Sequence, residues 1–333
     1  MRVVITGVAG LIGSNLAQWI IDNHPGVSVV GIDNLSCGYP ERVPTIPWNR
    51  RTLGEGSWTF PEFKETDVVY HCAAYAAEGL SPFIRRYNYR NNLEATADVV
   101  NGCINRGVRR LVYFSSMAVY GAGQPPFDEE APCVPIDPYG VAKLAAEQDI
   151  RIAGEQHGLD WCVIRPHNVT GVGQSLWQEY RNVLGIWMAR LLQGRPLSIY
   201  GDGLQTRAFS DIEDCLEPLW KAGTSPKASK QTINLGSPVE TTILEAARTL
   251  CEIAGYGDLE HLPPRHEAKH AFCTTARSEK LLGYRYLTSL KKSLEKMWVW
   301  AKEEWEAYPE RRGSHNTITF ETTKGLYPFW RES

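Results

Sequence analysis

The sequence predicts an α/β fold, a doubly wound parallel sheet followed by a smaller α+β substrate lobe. Three observations carry that expectation. Short β-branched runs alternate with helix-period segments through the first half of the chain. The runs are apolar almost throughout, as strands covered on both faces require. A glycine-rich turn joins the first run to the first helical segment.

Strands are expected at 3–6, 27–33, 67–73, 110–116 and 161–166. Between them, Leu93, Ala97, Val100 and Ile104 recur at helical spacing, as do Val141, Ala145, Gln148 and Ile152. Each set is read as the buried face of a helix, the first ending at Gly107 and the second at Gly158. The proline-rich stretch 40–63 shows no clear third strand. Beyond it the texture changes, with helices expected at 183–192, 243–253 and 289–307 and short strands at 197–200 and 232–235. The chain is therefore divided into a nucleotide-binding domain, 1–170, and a substrate-binding lobe, 171–333, some segments of which return to the first domain.

Composition narrows the function. The 333 residues carry 35 Lys+Arg against 38 Asp+Glu, a net charge of −3, without a basic run. The electrostatic footprint of a nucleic-acid binder is missing. Eight cysteines lie far apart with no Cys-x-x-Cys, which suits reduced thiols in a cytoplasmic protein. No apolar stretch approaches the ~20 residues of a membrane span, and the first residues lead straight into a strand with no signal segment expected.

Thr6-Gly7-Val8-Ala9-Gly10-Leu11-Ile12-Gly13 follows the first strand and opens a helix. Glycines there allow a tight turn and let backbone approach a pyrophosphate at the helix N-terminus. The second strand ends at Asp33, 20 residues after Gly13, where a carboxylate accepts from ribose hydroxyls and repels a 2′-phosphate. A Rossmann-like site for NAD follows.

Tyr139 is the one tyrosine with a lysine four residues on, Lys143, at the start of a helix. The two share a face, and an ammonium near a phenol favours phenolate, a usable base. Upstream, Ser115 and Ser116 end the fourth major strand at the edge of the sheet where ligands bind.

Gly7-x-x-Gly10-x-x-Gly13, Asp33, Ser115-Ser116-x-x-Val119-Tyr120-Gly121, Pro138-Tyr139-x-x-x-Lys143 and Arg165-Pro166-x-Asn168-Val169 resemble the extended short-chain dehydrogenase/reductases that act on nucleotide sugars. Among these, UDP-sugar 4-epimerases are most similar. The resemblance implies Ser116, Tyr139 and Lys143 as catalytic residues. It implies a cofactor set of Gly7, Gly10, Leu11, Ile12, Gly13, Asp33, Asn34, Ala73, Asn91, Ser115, Tyr139 and Lys143. It also implies Asn168, Asn182, Tyr200, Arg207 and Arg265 around a nucleotide diphosphate, Glu78 in the sugar pocket, and a homodimer built on helices 88–106 and 139–157.

The departures from the resemblance are informative. Ala76 stands where many relatives have a lysine near the pyrophosphate, Glu78 where an apolar residue is usual, and Thr170 where tyrosine is common. No acidic residue for adenine can be placed in 40–63. Met117 and Ala118 replace the acidic pair of 4,6-dehydratases, which favours a 4-epimerase for a UDP-hexose, with neutral sugars preferred because Glu78 repels a uronate.

Two other readings differ in class. His266-Glu267-Ala268-Lys269-His270 matches the H-E-x-x-H of zinc hydrolases, but Pro263-Pro264 and the strand-like 271–274 deny it the helix that motif needs, so no metal is expected. A non-catalytic NAD-binding sensor could dispense with Tyr139 and Lys143, both of which are present.

Overall fold

The computed structural model describes residues 1–56, 59–312, 318–327 and 330. Among these, seven parallel strands form the main sheet: β1 (Arg2–Thr6), β2 (Ser28–Asp33), β3 (Trp48–Arg50), β4 (Val68–His71), β5 (Arg110–Phe114), β6 (Asp160–Pro166) and an outer strand, Gln231–Leu235. Their spatial order is Gln231–Leu235, β6, β5, β4, β1, β2, β3. The fold is the expected Rossmann-like doubly wound sheet, with smaller mixed sheets in a second lobe.

Side chains alternate across the sheet. Val3 and Ile5 of β1 pack with Leu16 and Ile20 of α1 (Leu11–Asn23) on one face. Val4 packs with Val99, Cys103 and Ile150 on the other. Covering both faces explains the unbroken apolar runs, each fully buried Val, Ile or Leu contributing ~1.5–3 kcal/mol.

One stretch left unassigned by the sequence is filled, and two sequence expectations are corrected. The third strand exists: Trp48, Asn49 and Arg50 pair with Gly31, Ile32 and Asp33 at the edge of the sheet. Three residues after a proline-rich approach carry no periodicity to detect. Helix 88–106 is not continuous, because α2 (Arg85–Tyr89) passes through a π-helical turn, Arg90–Glu94, into α3 (Ala95–Arg106). The face of α4 (Pro138–His157) is also inverted. Ala142, Ala146, Ile150 and Ala153 are buried, whereas Val141 and Ile152 are 42% and 49% exposed. Alanines at three of these four buried positions allow a close approach, while Val141 and Ile152 point outward. Both helices do end on left-handed glycines, Gly107 and Gly158, as their positions predict.

The second lobe contains α5 (Val183–Leu192), the strand pair Leu197–Tyr200 and Leu259–Leu262, α7 (Ile243–Ala254) and α9 (Leu290–Ala307). Its core is Trp187, Met188, Leu197, Leu250, Met297 and Trp298. By contrast α6 (Ile212–Thr224) packs on α1, and α8 (Ala276–Leu282) lies against the outer strand, so both cover the main sheet. β1 lies between β2 and β4, where the chain reverses its direction of winding. The crevice at the carboxyl ends of these strands is the ligand site of such sheets.

Candidate active site

A cavity of ≈ 1410 Å³ opens at this crevice and runs into the second lobe. Every residue of the expected cofactor, catalytic and substrate sets lines it. In the nucleotide half, Gly7 adopts φ +72°, and a Cβ on Gly13 would lie 2.2 Å from the Gly7 carbonyl oxygen. Neither position admits a side chain. Gly10 begins α1 without a capping side chain, which leaves first-turn amides for an anion. Asp33 ends β2, its carboxylate accepting from the amides of Ala9 at 3.0 Å and Leu35 at 2.7 Å. Burial raises its pKa, outweighing those amides. A closed glycine turn, open amides and a carboxylate at the next strand end fit a dinucleotide whose ribose hydroxyls are free, as in NAD.

Beside them, Ala73 follows β4, and its amide meets the Thr6 hydroxyl at 3.3 Å. Asn34 holds the turn by accepting from the Ser36 amide at 2.9 Å. Asn91 sits in the π-helical turn and donates to the Tyr87 carbonyl at 2.8 Å, leaving its amide oxygen for a ligand. Beyond β3 the cavity is lined by Arg51 and Leu53.

Ser116, Tyr139 and Lys143 meet at the junction of the two halves. The Ser116 hydroxyl shares a hydrogen bond with the Tyr139 phenol and accepts from the Ala118 amide at 3.1 Å. Lys143 donates to the Phe114 carbonyl at 2.8 Å, with Nζ 5.8 Å from the centre of the Tyr139 ring. Burial pushes its pKa down to about 7. Tyr139 moves in the direction opposite to the one its lysine predicts: burial and then the Glu78 carboxylate push the phenol above its ordinary value, and Ser116 opposes them. Ser115 differs from its neighbour, because its hydroxyl donates to Glu147 in a buried ion-pair network.

In the substrate half, Arg207 and Arg265 converge on Glu267, at 2.8 and 3.5 Å. The Arg265 guanidinium lies 3.9 Å from the centre of the Tyr200 ring. Asn168 and Asn182 both adopt positive φ, 28° and 64°, where asparagine is tolerated best among non-glycine residues. Glu78 is open to the water of the cavity and has no ion pair among the described residues. Enclosure by protein, followed by the nearby Asp137 carboxylate, raises its pKa.

The sequence reading missed several contributors. Asp137 caps α4 through the Gly140 amide at 2.9 Å, and Asp-Pro at a helix start was a legible signal. Asn92 is buried and pins Tyr75 by bonds in both directions, 3.0 and 3.1 Å. Arg181 lines the cavity over the Tyr75 ring, 5.0 Å from its centre, with no carboxylate partner among the described residues. The H-E-x-x-H segment is not helical: His270 lies in a two-residue strand against Thr206, and Glu267 is held by the arginines. Among the described residues no group of three or more metal-ligating side chains gathers. No described helix is long and apolar enough to cross a membrane.

The chain is 30% identical over 308 residues to the UDP-glucose 4-epimerase of Mycolicibacterium smegmatis, covering 89% of this chain and 97% of that protein. The UDP-glucose 4-epimerase of Thermotoga maritima, solved with UDP-glucose, superposes with a TM-score of 0.86 at 26% identity, covering 91% of this chain and 99% of that one. The UDP-glucuronic acid 4-epimerase of Bacillus cereus, solved with UDP-glucuronic acid and NAD, gives 0.84 at 25% identity, over 91% and 100%. Residues 3–236 match the NAD dependent epimerase/dehydratase family, and the chain belongs to that family.

Proposed function

We propose that the protein is an NAD-dependent 4-epimerase of a UDP-hexose, with neutral sugars preferred. The observation that carries this is the placement of Ser116, Tyr139 and Lys143 where the nucleotide and substrate halves of the cavity meet. When bound, NAD supplies a hydride acceptor and donor at the sugar carbon. Tyr139 takes the proton of the 4-hydroxyl, and Ser116 shares that hydrogen bond. Lys143, held by the Phe114 carbonyl, serves the cofactor ribose. Arg207 and Arg265 bind the diphosphate, exchanging Glu267 for phosphate oxygens, the forked recognition suited to guanidinium. The keto sugar turns about its diphosphate link to present the other face of carbon 4 for the returning hydride, and Tyr139 gives its proton back to the carbon-4 oxygen.

Met117 and Ala118 beside Ser116 cannot transfer protons, which supports epimerisation over elimination. A 4,6-dehydratase is the second reading, favoured by the Glu78 and Asp137 carboxylates acting on Tyr139. Incubation with UDP-glucose, without added cofactor, is expected to yield UDP-galactose by NMR. A 4-keto-6-deoxy product would replace the first reading with the second.

Glu78 sets the sugar preference. UDP-glucose should have a higher kcat/KM than UDP-glucuronate, and Glu78→Gln should narrow the gap. Because the Glu78 pKa is raised, discrimination should also weaken as pH falls and the carboxylate protonates. Faster turnover of the uronate by the unaltered chain would contradict this role.

The outward faces of α3 and α4 support the homodimer. Val141 and Ile152 are exposed and Leu93, Ala97, Leu144 and Ile104 half-buried, an apolar stripe that a second copy would cover as a four-helix bundle. Ala95, Ala142 and Ala146 take no part, being buried within the chain itself. Light scattering at micromolar concentration should give twice the 37.4 kDa chain mass, and Val141→Glu with Ile152→Glu should give the single mass. A monomer before substitution would remove the dimer.

A further inference from the structure

The sequence offers no role for the C-terminal tail, yet Thr322, Lys324, Gly325, Tyr327 and Trp330 line the cavity. The Glu321 carboxylate accepts from the amides of Arg86 at 2.8 Å and Tyr87 at 2.9 Å, and its own amide donates to the Phe83 carbonyl at 2.8 Å. The Tyr327 hydroxyl accepts from the His266 amide at 3.1 Å, next to Arg265. Trp330 is 3% exposed and shares a cluster with Tyr75, Leu80 and Phe83. A Cβ on Gly79 would lie 3.5 Å from Arg265 and 3.8 Å from Trp330. The Tyr180 ring, one residue before Arg181, stands edge-on to Trp330 at 5.5 Å. One tail thus packs against the three segments that carry Glu78, Arg181 and Arg265, and Lys324, Tyr327 and Trp330 line the cavity.

We propose that this tail is a wall of the substrate site, which fixes the shape of the sugar subsite between Glu78 and Arg181 and so determines sugar specificity. The proposal rests on the nucleotide-sugar reading for its ligand. A terminal segment that made only local contacts would be expected to fray. This one is held by two charge-assisted bonds to backbone and by an aromatic cluster that bridges otherwise separate loops. Its contacts centre on the segments of Glu78, Arg181 and Arg265 and extend to Cys37 in the loop after β2, with none to the glycine turn or Asp33 among the described contacts.

The test uses the full chain and two variants, Glu321→Ala and Trp330→Ala, titrated calorimetrically with UDP-glucose and with UDP. The affinity for UDP-glucose should fall by about tenfold in each variant while that for UDP stays within about twofold, because UDP lacks the sugar. Equal affinities across all three proteins, or parallel losses for both ligands, would overturn the wall. A second readout needs no ligand. Cys37 lines the same cavity and packs against the tail's cluster, so its alkylation by iodoacetamide, followed by peptide mass spectrometry, should quicken several-fold in Glu321→Ala. An unchanged rate would sink the proposal, whereas a quickened rate in a protein that binds no UDP would sustain it and remove the nucleotide-sugar reading instead.

Discussion

Tyr139→Phe is expected to lower kcat by about 10²–10⁴-fold while leaving the fold and bound NAD in place. The phenol is 6% exposed, and its ring is retained by phenylalanine, so packing at the start of α4 is unchanged. What disappears is the group that exchanges a proton with the sugar hydroxyl. Ser116 remains, yet a hydroxyl whose oxygen already accepts from the Ala118 amide is a poor base. The cofactor turn, Gly7 to Gly13, lies elsewhere on the cavity wall, so NAD should still co-purify. Stopped-assay turnover together with the absorbance of released cofactor separates the two effects, and near-normal turnover would exclude Tyr139 as the base.

Glu147→Ala is expected to destabilise the protein by about 3–5 kcal/mol, read as a lower urea midpoint. Glu147 is fully buried and accepts from Arg165 at 2.9 and 2.7 Å, from Arg151 at 3.0 Å and from the Ser115 hydroxyl. Removing it leaves the Arg165 guanidinium, 2% exposed, without its carboxylate. Replacing both partners, as Glu147→Met with Arg165→Met, should recover much of the loss because no unpaired charge is then buried. A single variant as stable as the parent would show that this network does not support the ends of β5 and β6.

The same network gives Arg165 a physical meaning that its motif alone did not. Arg165-Pro166 helped to identify the chain, yet the guanidinium points into the core, where it also donates to the Tyr120 hydroxyl at 2.8 Å. Arg165 and Tyr120, which stand in separate motifs of the sequence, bond to each other beneath the site.

Legibility followed backbone constraint. Gly7 and Gly13 could be read because the turn tolerates nothing larger, and Asp33 because a strand end fixes its distance from that turn. Spacing brought Tyr139 and Lys143 to one helix face, although it could not show that Lys143 would bond to the Phe114 carbonyl or that Glu78 would oppose the phenolate. β3 was invisible because an edge strand of three residues has no pattern, and its pairing comes from the neighbouring β2. The α4 stripe misled because Val141, Ala145, Gln148 and Ile152 keep helical spacing, while the face that is buried carries Ala142, Ala146, Ile150 and Ala153. The strand Gln231–Leu235 was read locally, but its partner β6 ends some sixty residues earlier, a pairing that composition does not encode. Arg181 and the tail were missed for a related reason, since their neighbours come from distant loops.

In the proposed epimerisation, hydrogen leaves carbon 4 of the sugar and returns to it. Incubation with UDP-glucose deuterated at carbon 4, followed by NMR of the products, tests this directly. The account predicts UDP-galactose with deuterium retained at carbon 4. Deuterium found at carbon 6 of a keto-deoxy sugar, or lost to solvent, would contradict it.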